Sequence, residues 1–180
     1  MIDRDSMVQC LESIVCPFDC FLEPCVAGTS MSSETESQPS SRSPSGLRAA
    51  GNDALGLGDL KTAQTRFHEA LRIAPRDAES HVCLGKLRQA QQRHTDALAH
   101  FQHALVLSPS HIAALTCAGM SSSALGRWDD AKAAFGNAVN AAPDDGEAAA
   151  NFANLLHRIG DLDAAAEMAV RAVTQLPNHA

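Results

Sequence analysis

Thiols, imidazoles, amides and a few cations are the groups in this sequence that could do chemistry, and their spacing limits what that chemistry can be. Cys10, Cys16, Cys20 and Cys25 fall close together near the N-terminus. Four thiolates can hold a zinc ion, but the spacing is irregular and contains no Cys-x-x-Cys pair, so these read as free thiols, with a zinc knuckle as the alternative. Cys83 and Cys117 stand far downstream and read as small buried residues. His100 and His103 lie three apart, on one face of a helix, with His94 before them. Two imidazoles can seed a metal site, yet no third ligand shares their face, so they read as surface histidines. Trp128, beside Gly126, reads as a packing anchor at a turn, or as a contact hot spot if exposed. The sequence has no glycine-rich phosphate loop, no Gly-x-Ser-x-Gly elbow and no His-Glu-x-x-His motif. An enzyme therefore has no constellation to rest on, and no cofactor or metal is expected.

The elements that position these groups follow from composition and punctuation. Hydrophobic residues make up 45% of the chain but aromatics only 4%, with no tyrosine, so Ala and Leu supply the apolar surface. That suits close-packed helices better than a β-sandwich. The net charge of −7 is uneven. Residues 1–43 carry Asp3, Asp5, Glu12, Asp19, Glu23, Glu34 and Glu36 against only Arg4 and Arg42. No basic stripe exists, which argues against nucleic acid as a partner. No apolar run approaches the roughly 20 residues of a membrane span, and the acidic N-terminus does not resemble a secretory signal, so a soluble cytoplasmic protein is expected.

Residues 31–46 are rich in Ser and Pro without apolar periodicity, so residues 1–43 are expected to form a disordered Cys- and Ser/Pro-rich tail. Met31 opens the Ser-rich stretch, which raises a second reading of residues 1–30 as an upstream extension from a mis-chosen start. From residue 44 onward a repeat takes over. Pro75, Pro109, Pro143 and Pro177 are spaced 34 apart. Ala63, Ala97, Ala131 and Ala165 keep the same interval, as do Ala70, Ala104, Ala138 and Ala172. Phe67, Phe101 and Phe135 form another column, completed by Ala169. A small residue recurs at Gly51, Gly85, Gly119 and Ala153, and a turn residue at Gly58, Gln92, Gly126 and Gly160. Four units follow, at 44–77, 78–111, 112–145 and 146–179. Small residues on two helices let those helices approach, while the Phe and second Ala columns, with Leu71, Leu105, Val139 and Val173, form one face of the second helix. Each recurring proline ends that helix. Ser110 and Asp144 are the expected N-caps of the units they precede.

The pattern small-x11-Ala-x3-Phe-x2-Ala-x4-Pro at this period resembles the tetratricopeptide repeat. The resemblance implies an all-α, right-handed superhelical solenoid of four helix-turn-helix repeats. The sequence departs from the family pattern in places. The large residue usual before the small one is Leu47 and Leu115 in units one and three, but His81 and Ala149 in the others. The aromatic usual after it is replaced by Ala54, Arg88, Ser122 and Leu156. Ser121-Ser122-Ser123 makes the first helix of unit three look the least stable. Unit four, with Asn151 and Asn154, also resembles the repeats attached to protein O-GlcNAc transferases, although no catalytic domain follows. In those repeats an Asn ladder holds peptide backbone; here its position reads Ala49, Cys83, Cys117, Asn151, so one rung survives.

Stacked units present a concave groove, and the resemblance implies that the first helices line it. The groove positions are Ser45, Arg48, Asn52 and Leu55 in unit one, and Glu79, Val82, Lys86 and Gln89 in unit two. They are Ala113, Thr116, Met120 and Ser123 in unit three, and Glu147, Ala150, Asn154 and His157 in unit four. Such a mixed, polar surface suits an extended peptide or a partner helix, and the expected function is a non-enzymatic adaptor. Arg48, Asn52, Lys86, Gln89, Met120, Asn151, Asn154 and His157 are its candidate contacts. Some family members clamp the C-terminal carboxylates of heat-shock chaperones. That clamp needs Asn where Lys86 stands and bases where Thr116 and Met120 stand, so it is incomplete here, although Arg48, Asn52 and Lys86 could hold one carboxylate. The alternative is a targeting fragment or subunit of a larger enzyme or secretion assembly. Pro177-Asn178-His179-Ala180 falls where a further unit would begin, leaving Val170, Val173 and Leu176 uncovered, so self-association or docking through units three and four is expected.

Overall fold

Helix caps and stops cut the array into short, even pieces. The structure, a computed structural model, describes residues 42–175. Within them lie eight α-helices and no strand: α1 Pro44–Gly56, α2 Leu60–Ile73, α3 Ala78–Ala90, α4 His94–Leu107, α5 Ile112–Ala124, α6 Trp128–Ala141, α7 Gly146–Arg158 and α8 Leu162–Gln175. They pair in order, α1 with α2 through α7 with α8, and each pair stacks on the next. The Cys-rich and Ser/Pro-rich tail up to residue 41, with its zinc-knuckle alternative, and residues 176–180 lie outside the described residues. No described helix is long and apolar enough to cross a membrane.

Within each pair the turn is tight because one residue adopts a left-handed conformation, Gly58 at φ +76°, Gly126 at +73° and Gly160 at +84°. Gln92 takes the same conformation at φ +59°, so the turn persists where the glycine column is broken. Asp59 and Asp161 then cap α2 and α8, accepting from the amides of Thr62 at 3.1 Å and Ala164 at 3.4 Å. Between pairs the caps stand one residue later than the sequence suggested. The amides of Asp77, His111 and Asp145 each donate back across the recurring proline, to the carbonyls of Ala74, Ser108 and Ala142. That turn occupies the proline and the residue after it, so the N-caps are His111 and Asp145 in place of Ser110 and Asp144.

The helix crossings rest on the glycine and phenylalanine columns. A Cβ on Gly119 would meet three ring carbons of Phe135 at 2.9 Å, and the rings of Phe67 and Phe101 stand closer still to Gly51 and Gly85. Phe67, Phe101 and Phe135 are buried there. Unit four exchanges both partners at once, Ala153 replacing the glycine where Ala169 replaces the ring. Burial then runs from pair to pair as successive clusters: Phe67 with Leu84 and Leu87, Phe101 with Ala114 and Ala118, Phe135 with Leu155.

Successive first helices also touch one another, α1 with α3, α3 with α5 and α5 with α7, whereas successive second helices form no comparable contact. The array is therefore tighter on the first-helix side, which is its inner side. The three serines of α5 lie at this seam. All are buried, and two are bonded across it: Ser121 accepts from Gln89 Nε2 at 2.8 Å and Ser123 from Arg158 Nη1 at 3.0 Å. In the helix that the sequence suggested as weak, Ser121 and Ser123 are thus inter-unit hydrogen-bond acceptors.

The crossing contact makes two glycine substitutions act in opposite directions. Gly119→Ala should destabilise by about 1–3 kcal/mol through overpacking against Phe135. Gly136→Ala, in mid-helix and meeting only Phe152 Cζ at 4.0 Å, should stabilise by about 0.5–1 kcal/mol. Urea midpoints read both, and shifts of the same sign would contradict the crossing geometry.

Candidate functional site

The inner side is built by α1, α3, α5 and α7, and its side chains divide into those that tie one unit to the next and those left over. Asp77 is the first tie. Its carboxylate caps α3 through the Ser80 amide, accepts the Ser80 hydroxyl, and accepts Arg48 Nη1 from α1 at 2.6 Å. Arg48 is thus engaged within the array and Asn52 hydrogen-bonds the Cys83 thiol, so of the trio imagined for a ligand carboxylate Lys86 is the cation that no ion pair uses among the described residues. Glu79 is engaged in the same way. His111 Nδ1 accepts the Ala114 amide at 3.3 Å, which places the ring proton on Nε2, and Nε2 donates to Glu79 at 2.8 Å.

Gln89 departs furthest from its expected role. It is 7% exposed, and its Nε2 donates to the Cys117 carbonyl at 3.0 Å as well as to Ser121. It staples α3 to α5. Val82, Thr116 and Ser123 are buried along the same seam, so four of the positions expected on the groove surface are interior. The reason is the direct packing of one first helix on the next, which covers the flank of the inner face that repeat register alone assigns to the groove. Among the other candidates, Asn52 and His157 are exposed, and Lys86, Asn151 and Asn154 are half-buried. Met120 is half-buried between two core clusters. Lys86 makes no ion pair among the described residues.

Arg158 is a residue that sequence reasoning missed. Its guanidinium bonds Ser123 and lies 5.1 Å from the centroid of the Trp128 ring, which is 41% exposed at the start of α6. Trp128 thus keeps an open face with a cation fixed over it, instead of being an interior anchor.

The thiols of Cys83 and Cys117 are buried and unpaired. Burial pushes each up to about 11. At Cys83 the Glu79 carboxylate adds to the rise, while Lys86, Arg48 and a hydrogen bond from Asn52 oppose it without prevailing. Both therefore stay protonated near neutral pH, which denies them nucleophilic chemistry.

The imidazoles are not placed as sequence suggested. His81, read as a departure from the large-residue position of α3, faces the two histidines of α4: its ring lies 5.4 Å from His103, stacked, and 6.1 Å from His100. The register that puts this position of a first helix against its own second helix was the available signal. His81 and His100 are half-buried, and both are held below the usual histidine range. Burial is the main cause in each. Repulsion from His103 follows at His81, whereas a bond to the Pro75 carbonyl and the charge of Asp77 oppose it. At His100, His81, Arg88, His103 and His68 all add to the lowering. Among the described residues no group of three or more His, Cys, Asp or Glu is arranged to hold a metal ion.

Two family models, both described as "Tetratricopeptide repeat", match residues 48–112 and 123–180 and together cover more than half of the chain. No curated protein matches. Among solved structures, a thermophilic TPR protein of Thermus thermophilus, TTC0263, aligns with a TM-score of 0.69 at 20% identity, covering 78% of this chain and 77% of that one. MamA from Desulfovibrio magneticus, residues 41 to its end, aligns with a TM-score of 0.65 at 19% identity over 77% and 78%. The first TPR of Spaghetti (RPAP3), solved with the HSP90 peptide SRMEEVD, aligns with a TM-score of 0.62 at 17% identity over 66% and 97%. At these identities the likeness is one of fold.

The histidine cluster gives the array a pH dependence of fixed sign. In the unfolded chain these imidazoles titrate near their ordinary value of about 6.5. In the fold His81 and His100 titrate lower, so the unfolded state binds more protons in acid. The cluster's contribution is fully present above pH ~6.5 and is lost as the pH falls from there through the lowered folded values. The urea midpoint should therefore drop between pH 7.5 and 5.5, and the drop should shrink in His81→Leu. An equal drop in the variant would contradict this assignment.

Proposed function

Starting from the fact that this chain belongs to the tetratricopeptide-repeat family, we propose that it is a non-enzymatic adaptor that holds an extended peptide or a partner helix along its inner face. The observation that carries this reading is the division of labour there. Arg48, Glu79 and Gln89 are consumed in joining helix pairs, while Lys86 stands half-buried among them without an ion pair among the described residues. A cation that the fold does not need for its own stacking is available to a ligand carboxylate. Asn52, Asn151 and Asn154 offer amides that can both donate to and accept from peptide backbone. Met120 and His157 supply adaptable apolar and polar contacts. The solved array bound to the HSP90 peptide SRMEEVD supports the reading that this fold accommodates a peptide with acidic residues near its end. The full chaperone clamp is still not proposed, because Lys86, Thr116 and Met120 replace its Asn and its bases.

A second reading concerns the other end of the array. Val170 and Val173 on α8 are 48% and 53% exposed, so unit four offers an apolar docking face. That would suit self-association, or the targeting part of a larger enzyme such as a glycosyltransferase, or of a secretion assembly.

Peptides selected from a random library on the full chain test the first reading. Those carrying acidic residues should lose about fivefold in affinity, or about 1 kcal/mol, with Lys86→Glu, and most of their binding with Asn52→Ala added. Unchanged affinity in both variants, measured by fluorescence anisotropy, would remove the groove from the account.

A further inference from the structure

Arg158 carries a charge that the fold leaves without a carboxylate. Its guanidinium is held by the Ser123 hydroxyl at 3.0 Å and lies 5.1 Å from the Trp128 ring centroid, both neutral partners, and it makes no ion pair among the described residues. Arg127 and Lys132, which flank Trp128 in sequence, are by contrast paired with Asp130 at 2.6 Å and Asp161 at 3.2 Å. Arg158 is also exposed. A cation fixed in place and lacking a counter-charge can take a carboxylate, and it gives up little side-chain freedom in doing so.

Apolar surface lies beside it. Leu125 and Ile159 share one repeat position, at the end of their first helices, and are 40% and 36% exposed. Leu125 stands three residues before Trp128, across the Gly126 turn, and Ile159 directly follows Arg158. Leu125 and Trp128 belong to unit three, onto which α7 of unit four is packed, so their exposure does not arise at an end of the array.

Stacking does not require this pair of side chains. Trp128 shares its repeat position with Leu60, His94 and Leu162, and Arg158 shares its own with Gly56, Ala90 and Ala124. The joint between units one and two therefore has Leu60 and Ala90 where this one has Trp128 and Arg158, and the joint between units two and three has His94 and Ala124. Both joints form without the pair. A tryptophan and an arginine fixed together beside exposed Leu and Ile have the composition of a binding hot spot.

We propose that the Trp128–Arg158 corner between units three and four is a second docking site, for a protein segment that carries an apolar side chain next to Asp or Glu. The apolar side chain packs on Leu125, Ile159 and the exposed part of the Trp128 ring, and the carboxylate pairs with the Arg158 guanidinium. The site uses none of Lys86, Asn52, Asn151 and Asn154, and it stands whether or not the inner face holds a ligand.

Trp128 is the only tryptophan of the chain, so its fluorescence reads the site directly. The probes are short random peptides without tryptophan, selected from a library on the full chain. A class with an apolar residue beside Asp or Glu is expected, and it should shift the Trp128 emission. Its affinity should fall about tenfold with Arg158→Ala, and as much by anisotropy with Trp128→Leu, while Lys86→Glu leaves it unchanged. Both corner variants install residues that the array already uses at those positions, so its helices are retained. Selected peptides that all leave the emission unchanged and bind both corner variants as tightly as the natural sequence overturn the proposal. A class that answers to Trp128→Leu but carries Lys or Arg in place of the acids overturns it too.

Discussion

Two helices can cross around a large ring only where the facing position has no side chain in the way, and this array meets that constraint with a glycine three times. Gly51, Gly85 and Gly119 each leave room for a phenylalanine ring of the second helix. In unit four both partners change together, to Ala153 and Ala169, so the crossing is kept with the bulk shared differently. Burial of a ring against a bare backbone fixes where the helices of a pair meet. The pair's outer surfaces then have a fixed register, and the next pair can pack on them only in the way the first did. The repeat in the sequence is the trace of that packing problem solved once and reused.

Stacking alone does not explain the polar seam between units. Arg48 with Asp77, His111 with Glu79, Gln89 with Cys117 and Ser121, Arg158 with Ser123, and Arg171 with the Pro143 carbonyl all link one helix pair to the next, Asp77 and His111 being the N-caps of the pairs that follow. With few aromatics and much alanine, the interfaces contain modest apolar area, and these bonds add direction to it. They also decide what the inner face can present. Side chains that repeat register assigns to a ligand are partly used up in holding neighbours, and what remains is a sparser set around Lys86 and the asparagines.

The fold was legible because its determinants are local and periodic. The proline, alanine, phenylalanine and glycine columns indicated helix number and pairing, and the second helices stop two residues before Pro75, Pro109 and Pro143. The misplaced caps show the limit: Ser110 and Asp144 are good capping residues, but the turn across the proline consumes their position. The binding surface was less legible, because repeat register gives the direction of a side chain without saying whether a neighbouring helix covers it. Gln89 points inward as expected and is buried by α5. His81 looked like a flaw in a column until its second-helix partners, His100 and His103, were seen opposite it. The serines of α5 carried no sign of their partners, since the donors Gln89 and Arg158 stand on neighbouring helices.

Short helices locked by small-residue crossings stack so that successive first helices form the inner face, where we propose that another chain is held. The claim that the inner face does the holding is tested most directly by mapping a bound peptide's hydrogen-exchange footprint on the full chain, with a peptide selected from a library. Protection confined to α1, α3, α5 and α7 is the result the account predicts. Protection confined to the second helices α2, α4 and α6, with the first helices unchanged, would contradict it.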